Sequence, residues 1–435
     1  MPRLRLMIRL VSILALLGAD AAGQAPEAPR PPAPSAPPLS LEAALATFDR
    51  QGFDVLLAEA AVQGAEARET SAGALINPAI GIGAGRSFAY DPVQVFVSGQ
   101  VSDQALVTDV LSGKRGLRLD AARAALASAR SAKEDVRRLV ATQVKLAWVD
   151  LAAAKAALDL ARDAQASAQR ALEINRLRFP KVIDEGQLAR VETAKLGADQ
   201  GVDRAARDMA EREIQLAFLM GQRSGFHADV DRGALAYSVP AKLEGATPQA
   251  LRKEALERRP DVRVARAEIG RAEAEIDLAK RQRFPDIALQ LMYQQQGTGQ
   301  AAANPATVAL GLTAPIPLLY QNQGEIARAE ADRRTQQIAH DRTRLAIEAE
   351  VEAAFARFTT QRRVVERYEQ ALLERARRAR DVTELQFNSG AAPLIDYLDA
   401  QRTFIAVSQD YLENLAAYWA AVFRLEQAVG VDLRR

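Results

Sequence analysis

The feature that most constrains this chain is a pair of alternating segments set between helical stretches too long for a compact domain. In the second half, Leu289 and Leu291 alternate with small or polar residues, and so do Leu310 and Leu312 further along. A period of two with one apolar side predicts a β-hairpin at about residues 285–314. The chain then passes through a Pro-Ile-Pro element into a long helix.

The same plan occurs in the first half of the chain. Residues 54–78 align with residues 261–285, so that Ala58, Ala60, Ala65 and Ala67 correspond to Ala265, Ala267, Ala272 and Ala274. The alternation around Ile80 and Ile82, and again around Val95 and Val97, predicts a hairpin at about 78–103. We therefore predict two repeats, 39–245 and 246–432, of about 200 residues each, several times the period of a solenoid repeat.

Two N-terminal segments precede the repeats. Residues 1–22 combine three arginines, the apolar run Leu10–Leu17 and a small-residue stretch, which is the pattern of a cleaved secretory signal. The apolar run is too short to span a bilayer, and a buried N-terminal helix is the alternative. Residues 23–38 are rich in Pro and Ala, a composition that predicts an extended tether. Because no Cys follows the signal, we expect no lipid anchor there.

A long helix follows each hairpin. Residues 116–179 carry an apolar stripe that includes Val140, Val144 and Trp148. At about 1.5 Å per residue, this helix forms a rod of about 95 Å. We predict the return helix at residues 188–220. The equivalent rod and return helix of the second repeat are predicted at residues 323–387 and 392–429. A soluble coiled coil is the alternative, although the signal sequence and the two hairpins are not typical of one.

The predicted strands have the length that a tilted strand needs to cross a bilayer. Their apolar face suits lipid and their small or polar face suits a lumen, although half-buried soluble strands show the same alternation. Four strands cannot close a barrel. In lipid each unpaired edge N–H or C=O costs several kcal/mol, so other copies of the chain have to pair with the edges. The residues alone allow two, three or four copies.

The composition excludes several function classes. The 57 basic and 55 acidic residues nearly balance, so nothing indicates nucleic acid. The chain has no Cys and only two histidines, His227 and His340, which rules out Cys-based and His-rich metal sites. We find no phosphate-binding loop, no catalytic triad pattern and no HExxH motif. We therefore predict no enzyme activity, no catalytic residue, no metal site and no cofactor.

Six motifs carry a resemblance to a known family: SLEAAL, INPAIGIGAG, SGKRGLRLDAARAAL, ERRPDVRVARAEI, IPLLYQNQGEIARAEADRR and LIDYLDAQRTF. Over residues 39–432 the chain resembles the TolC-type outer-membrane efflux family. Its GKR and LLYQNQGEI elements are most similar to the CzcC-type branch, which serves heavy-metal cation efflux. The resemblance implies a mainly α fold with a small β part, in which a homotrimer forms a transmembrane β-barrel continued by an α-helical tunnel.

The resemblance also implies a function. The chain would be a passive exit duct in the outer membrane of a Gram-negative envelope. It would receive substrate, divalent heavy-metal cations in this branch, from an inner-membrane RND-type pump through a periplasmic adaptor protein. Multidrug efflux and type I secretion are alternatives on the same fold, and a periplasmic coiled-coil scaffold is a more distant one.

The candidate site residues lie at the turns between the rods. Asp396 and Asp399 are three positions apart and share a helix face. The resemblance implies that they ring the periplasmic aperture, where carboxylates would attract cations. Alternatively, they are only the negative charges that the dipole favours at the start of a helix. Phe387 stands where the family has a Tyr and Arg190 where it has an acidic residue, so we hypothesise that Arg190 clasps the aspartates. The turns expected to contact the adaptor contain Pro180, Asp184, Gly186, Asn388, Ser389 and Gly390.

Overall fold

The computed structural model describes residues 38–87, 94–181, 183–222, 230, 235–296 and 304–434. The signal peptide predicted for residues 1–22, the predicted tether except Pro38, and His227 lie outside the described residues. Residues from Pro38 onward form one compact unit. The boundary predicted between residues 245 and 246 stays a prediction.

In the first half, two short helices lead into a hairpin and then into a rod and its return helix. The elements are α1 (Leu41–Gln51), α2 (Phe53–Gly73), β1 (Ala79–Ser87), β2 (Gln94–Asp103), a π-helical segment (Ala105–Leu111), α3 (Lys114–Arg178) and α4 (Glu185–Leu219). Helix α1 begins where the Ser40 side chain accepts a hydrogen bond from the Ala43 amide, a standard N-cap. The 65 residues of α3 confirm the predicted rod.

The second half repeats this order. A short 3₁₀ turn (Ala241–Leu243) precedes α5 (Pro248–Arg258), α6 (Pro260–Arg281), β3 (Ala288–Gln296), β4 (Asn304–Thr313), α7 (Gln323–Arg367), a π-helical turn (Tyr368–Leu372), α8 (Leu373–Asn388) and α9 (Leu394–Val429). Helix α5 starts at a strong local signal, with Thr247 capping the Ala250 amide and proline at the first helical position. None of the helices in the described residues has an apolar stretch long enough to cross a membrane.

The predicted second rod is helical from Gln323 to Asn388, with the π-helical turn Tyr368–Leu372 as a bulge between α7 and α8. This stretch contains neither Gly nor Pro, so no local signal marks it. It contacts α9. The Tyr368 and Tyr411 rings lie 6.2 Å apart, and the Tyr411 hydroxyl donates to Glu369. The tertiary contact thus accompanies the extra residue in the turn.

The four strands form one antiparallel sheet in the order β1-β2-β3-β4. Its register sets Ile80 opposite Val101, Val101 opposite Leu291, and Leu291 opposite Leu310, so one apolar row crosses the whole sheet. The neighbouring row on the other face consists of Gly81, Gln100, Met292 and Ala309. The predicted alternation is therefore confirmed on all four strands. Among the described residues, β1 and β4 each have only one neighbouring strand.

Partly buried ion pairs connect the sheet to the rods. The Lys114 ammonium group donates to the Phe284 carbonyl and to Asp286, both at 2.6 Å, and Lys114 is only 5% exposed. Asp109 accepts from Arg118 at 2.7 Å and from the Ile76 amide at 3.2 Å. Because these contacts join residues on both sides of the first hairpin to residues just before the second, they help to set the angle at which the sheet leaves the helices.

The main apolar core lies where the short helices pack around the rods. Trp148, Phe358, Tyr418 and Phe423 are buried there, together with residues of α1 and α5. Helix α3 packs along α4, α6 and α9, and α9 packs along α7 and α8. A second, smaller cluster lies at the opposite end of the rods from the sheet; it contains Ala171, Leu172, Val191, Phe387, Leu394 and Tyr397 and is called the tip cluster below.

Candidate functional site

Two turns lie at the tip cluster, one between α3 and α4 and one between α8 and α9. In the first, the Asp184 side chain accepts a hydrogen bond from the Gln187 amide at 2.7 Å and caps α4, with Gly186 in its first turn. In the second, Gly390 has a φ of 79°, and its amide bonds the Phe387 carbonyl at 3.1 Å. A glycine with positive φ after the last helical residue is a common helix stop, because it has no Cβ to clash.

Arg178 joins the two turns. Its guanidinium donates to the Phe387 and Asn388 carbonyls at 3.4 and 3.3 Å and lies 5.0 Å from the centre of the Phe387 ring. The end of α3 is thereby held against the end of α8, so the turns expected to contact the adaptor lie side by side. Arg178 is not among the residues that the sequence predicts here. Its only local signal is a basic residue in the last turn of a helix, which the helix dipole favours.

Phe387 supports the tip from inside. It is 4% exposed and stacks on Tyr397, with ring centres 5.1 Å apart and an interplanar angle of 12°. The expectation that Phe387 faces the aperture does not fit this burial in the described chain. Burial, together with the charge of Glu384, raises the pKa of Tyr397, so the phenol stays neutral and acts as a packing ring.

Asp396 and Asp399 lie on the exposed side of α9. The burial of Leu394 and Tyr397 fixes the rotation of the helix about its axis, and this rotation directs both aspartates into solvent. Asp396 is in the first turn of α9, where the helix dipole favours a negative charge. No side chain in the described residues forms an ion pair with either aspartate. The pair is therefore available to a mobile cation or to another chain.

Arg190 does not clasp the aspartates within one chain. It lines a groove of about 1390 Å³ that runs along α3 between α4 and α9, and neither Asp396 nor Asp399 lines this groove. No ion pair of Arg190 with a described residue is formed. Arg190 is thus not paired with either aspartate within the described chain, and the Arg190 latch stays a prediction for an assembly of several copies.

The described residues contain no group of three or more His, Cys, Asp or Glu side chains placed to hold a metal ion. The functional chemistry of the tip is therefore that of exposed charge on a packed support. Such an arrangement can attract or repel ions but has no built coordination sphere.

Comparisons with known proteins agree with this geometry. Residues 251–431 match the profile of the outer membrane efflux protein family. The chain is 25% identical over 398 residues to the cobalt-zinc-cadmium resistance protein CzcC of Cupriavidus metallidurans, covering 90% of both chains. It is 31% identical over 194 residues to the pyoverdine export outer membrane protein OpmQ of Pseudomonas aeruginosa, covering 42% of this chain and 38% of that one.

The fold has solved relatives as well. The structure of CusC, described in connection with transmembrane channel formation, superposes with a TM-score of 0.73 and covers 90% of this chain and 92% of its own at 18% identity. The long helices, the interposed hairpins and their order are thus those of a known channel fold. The resemblance to the outer membrane efflux protein family is therefore confirmed, with the family profile itself covering residues 251–431.

Proposed function

We propose that this chain is the outer-membrane exit duct of a three-part efflux system. The observation that carries the proposal is the open sheet. Leu310 is 77% exposed, Ile82 84% and Val308 67%, and all three lie on the same face. Exposing such a face to water costs about 25 cal/mol per Å² of apolar area, whereas a lipid environment removes this cost.

The edges of the sheet support a closed assembly of several copies. Unpaired backbone groups on β1 and β4 cannot be left in hydrocarbon, so each edge requires a strand from another copy. Three copies give twelve strands, the arrangement that the family resemblance implies. The rods would then continue the barrel as a helical tunnel, with the tips directed towards a periplasmic adaptor and a pump that supplies the energy.

Divalent metal cations are the proposed cargo. The similarity to CzcC over nearly the whole chain supports this choice. The unpaired Asp396 and Asp399 support it too, because repeated in each copy they would form a ring of carboxylates that concentrates cations. The similarity to OpmQ favours export of an organic compound as the second candidate.

The carboxylate ring can be tested by single-channel recording in planar bilayers. Wild-type channels should be blocked by multivalent cations, and the double variant Asp396→Ala/Asp399→Ala should lose this block. The matched control is Asp410→Ala/Glu413→Ala, which removes two carboxylates with the same spacing from the same helix, away from the tip. Block that persists in the tip variant, or that disappears in the control as well, would place the aperture elsewhere.

The cargo needs a separate assay. Cells lacking the chain should accumulate cobalt, zinc or cadmium when challenged, and the wild-type chain should restore their normal content. Unchanged metal content, together with accumulation of an organic compound, would support the second candidate. If neither metal nor an organic compound accumulates in cells that lack the chain, although the wild-type protein is correctly inserted in the parent cells, an export role would be contradicted.

A further inference from the structure

Large apolar side chains are exposed at each of the four junctions through which the chain passes between the rods and the sheet. Leu319, for example, lies beyond the end of β4 and is 97% exposed. The full set is called the junction belt here: Leu75 and Ile76 before β1, Leu106, Val110 and Leu111 after β2, Phe284 before β3, and Ile316, Leu318, Leu319 and Tyr320 after β4. The alternation of the strands does not account for these residues.

A second copy of the chain would cover only part of the junction belt. In the proposed closed assembly only β1 and β4 pair with other copies, whereas the junctions after β2 and before β3 lie in the interior of the sheet order. These inner junctions nevertheless expose Leu111 and Phe284, just as the outer ones expose Leu75 and Leu319. A water-filled lumen would leave all this apolar area hydrated. The covering layer therefore has to surround the assembly, as a bilayer does.

Unpaired basic residues lie directly beside the junction belt. Residues 280–284 read Lys-Arg-Gln-Arg-Phe, and all five are exposed. Within the described residues Lys280, Arg281 and Arg283 form no ion pair, and the Arg281 guanidinium lies 5.5 Å from the centre of the Phe284 ring. Asp277, one turn earlier on α6, is a single negative charge against these three positive ones. The segment therefore keeps an excess of positive charge.

The helix dipole accounts for only part of this charge. Two of the three basic residues lie in the last turn of α6, where the dipole favours cations, but Arg283 follows the end of the helix. Lys114 at the start of α3 holds this stretch in place by donating to the Phe284 carbonyl at 2.6 Å. It also bonds Asp286, so this carboxylate is already occupied. An exposed aromatic ring flanked by free cations is typical of the boundary between acyl chains and headgroups.

We propose that the junction belt lies at the level of the phospholipid headgroups on the periplasmic side of the outer membrane, and that Lys280, Arg281 and Arg283 bind anionic headgroups there. This inference rests on the proposed outer-membrane placement. The apolar side chains contact the first part of the acyl chains, and the long basic side chains reach the phosphates. Every copy repeats the site. The assembly therefore carries a ring of cations that prefers phosphatidylglycerol, which has a net negative charge, to zwitterionic phosphatidylethanolamine.

Lipid selectivity tests the basic part of the proposal. The full chain is reconstituted in phosphatidylethanolamine vesicles that contain phosphatidylglycerol. Spin-labelled forms of the two lipids then report, by electron paramagnetic resonance, how much of each is immobilised at the protein. The wild type should immobilise phosphatidylglycerol at least about twofold more than phosphatidylethanolamine. The variant Lys280→Gln/Arg281→Gln/Arg283→Gln should lose this preference.

The matched control is Arg375→Gln/Arg377→Gln/Arg378→Gln. It removes three exposed basic residues from α8, which also form no ion pair in the stretches that the structure describes and lie towards the tip cluster. This variant should keep the preference of the wild type. Equal selectivity of the two variants, or a wild type without any preference, would overturn the headgroup site.

A second measurement locates the junction belt in the bilayer. The chain has no Cys, so Phe284→Cys and Leu319→Cys each introduce a unique thiol for a fluorescent label. Leu310→Cys in the sheet and Leu345→Cys, an exposed position further along α7, are the references. Lipids with a quencher near the headgroup should quench the first two labels several-fold more than lipids with a quencher at the end of the acyl chain. The deep quencher should act on the Leu310 label, and neither quencher on the Leu345 label.

The two references separate this inference from the proposed function. If the deep quencher does not reach the Leu310 label, the proposed outer-membrane placement fails. If it does, while the Phe284 and Leu319 labels are quenched no more than the Leu345 label, another copy or the lumen covers the junction belt. In that case only the present inference is overturned.

Discussion

Arg259 provides the sharpest stability prediction, because it joins three helices from a buried position. It lies between α5 and α6 and its side chain is only 4% exposed. It donates to Asp261 at 2.6 and 3.1 Å, to Glu350 of α7 at 2.7 Å and to the Ala428 carbonyl of α9 at 2.9 Å. We expect Arg259→Met to keep much of the side-chain volume and to remove all four hydrogen bonds.

The expected magnitude follows from what remains behind. Removing one partner of a buried ion pair costs about 3–5 kcal/mol, because the other charge is left unpaired. Here the side chains of Asp261 and Glu350 are 24% and 55% exposed, so water partly replaces the lost guanidinium. We therefore expect a loss at the lower end, about 3 kcal/mol. Arg259→Lys keeps the positive charge but not the forked geometry of the guanidinium, so its stability should lie between those of Arg259→Met and the wild type.

The same substitution should change the dependence of stability on pH. Burial tends to raise the pKa of Asp261, but the hydrogen bonds and charge of Arg259 outweigh it and hold this pKa below its usual value. A carboxyl with a lowered folded-state pKa adds stability above its unfolded pKa, near 3.9, and this stability is lost as the pH falls through the folded pKa. Arg259→Met lacks this contribution of Asp261 to stability. The gap between wild type and Arg259→Met should therefore narrow on acidification below about pH 4.

Thermal unfolding in detergent, followed by circular dichroism at several pH values, measures both effects. At pH 7 the apparent midpoint of Arg259→Met should lie at least about 3 °C below that of the wild type, given how a free-energy change converts to temperature in a large chain. A difference under about 1 °C at pH 7, or a gap that widens on acidification, would refute the reasoning.

Two further predictions concern the sheet and a backbone contact. Leu310→Arg places a charge on the apolar face, at a free-energy cost of about 2–4 kcal/mol near the membrane midplane, and should abolish outer-membrane insertion. The control Gln290→Arg lies on the opposite face and should still be inserted. Normal insertion of Leu310→Arg would contradict the assigned faces. Gly221 has a φ of 71°, and an added Cβ would lie 2.2 Å from the Gln51 carbonyl oxygen. Gly221→Ala should therefore cost about 1–3 kcal/mol, whereas Gly197→Ala inside α4, where a Cβ meets nothing, should add up to about 1 kcal/mol. Equal thermal midpoints for these two variants would contradict the contact.

The sequence predicts the elements because their signals are local. A period of two marks the strands, and the register then aligns Ile80, Val101, Leu291 and Leu310 without exception. The cap at Thr247 and the glycine stop at Gly390 are equally local. These features depend on steric limits of the backbone within a few residues, so one sequence suffices to place them.

Contacts between distant residues were harder to predict. The π-helical turn at Tyr368–Leu372 has no Gly or Pro and accompanies a contact with Tyr411. Arg178 reaches carbonyls more than two hundred positions away, and nothing in its own helix indicates that partner. At the tip, spacing puts Asp396 and Asp399 on one face, but only the structure shows that Arg190 lines a groove that neither aspartate lines. Pairings of this kind depend on how the rods pack.

The distribution of buried residues fits the proposed assembly of several copies. The well-packed part lies in the middle, where Trp148, Phe358 and Tyr418 join both repeats. At one end of the rods the described residues form a sheet whose apolar face is exposed and whose edge strands have no second neighbour. At the other end lies a small cluster of six buried residues. Neither end can bury enough apolar area alone to offset the conformational entropy of ordering it. The middle should therefore fold first, and the sheet should become ordered only with lipid and the strands of other copies.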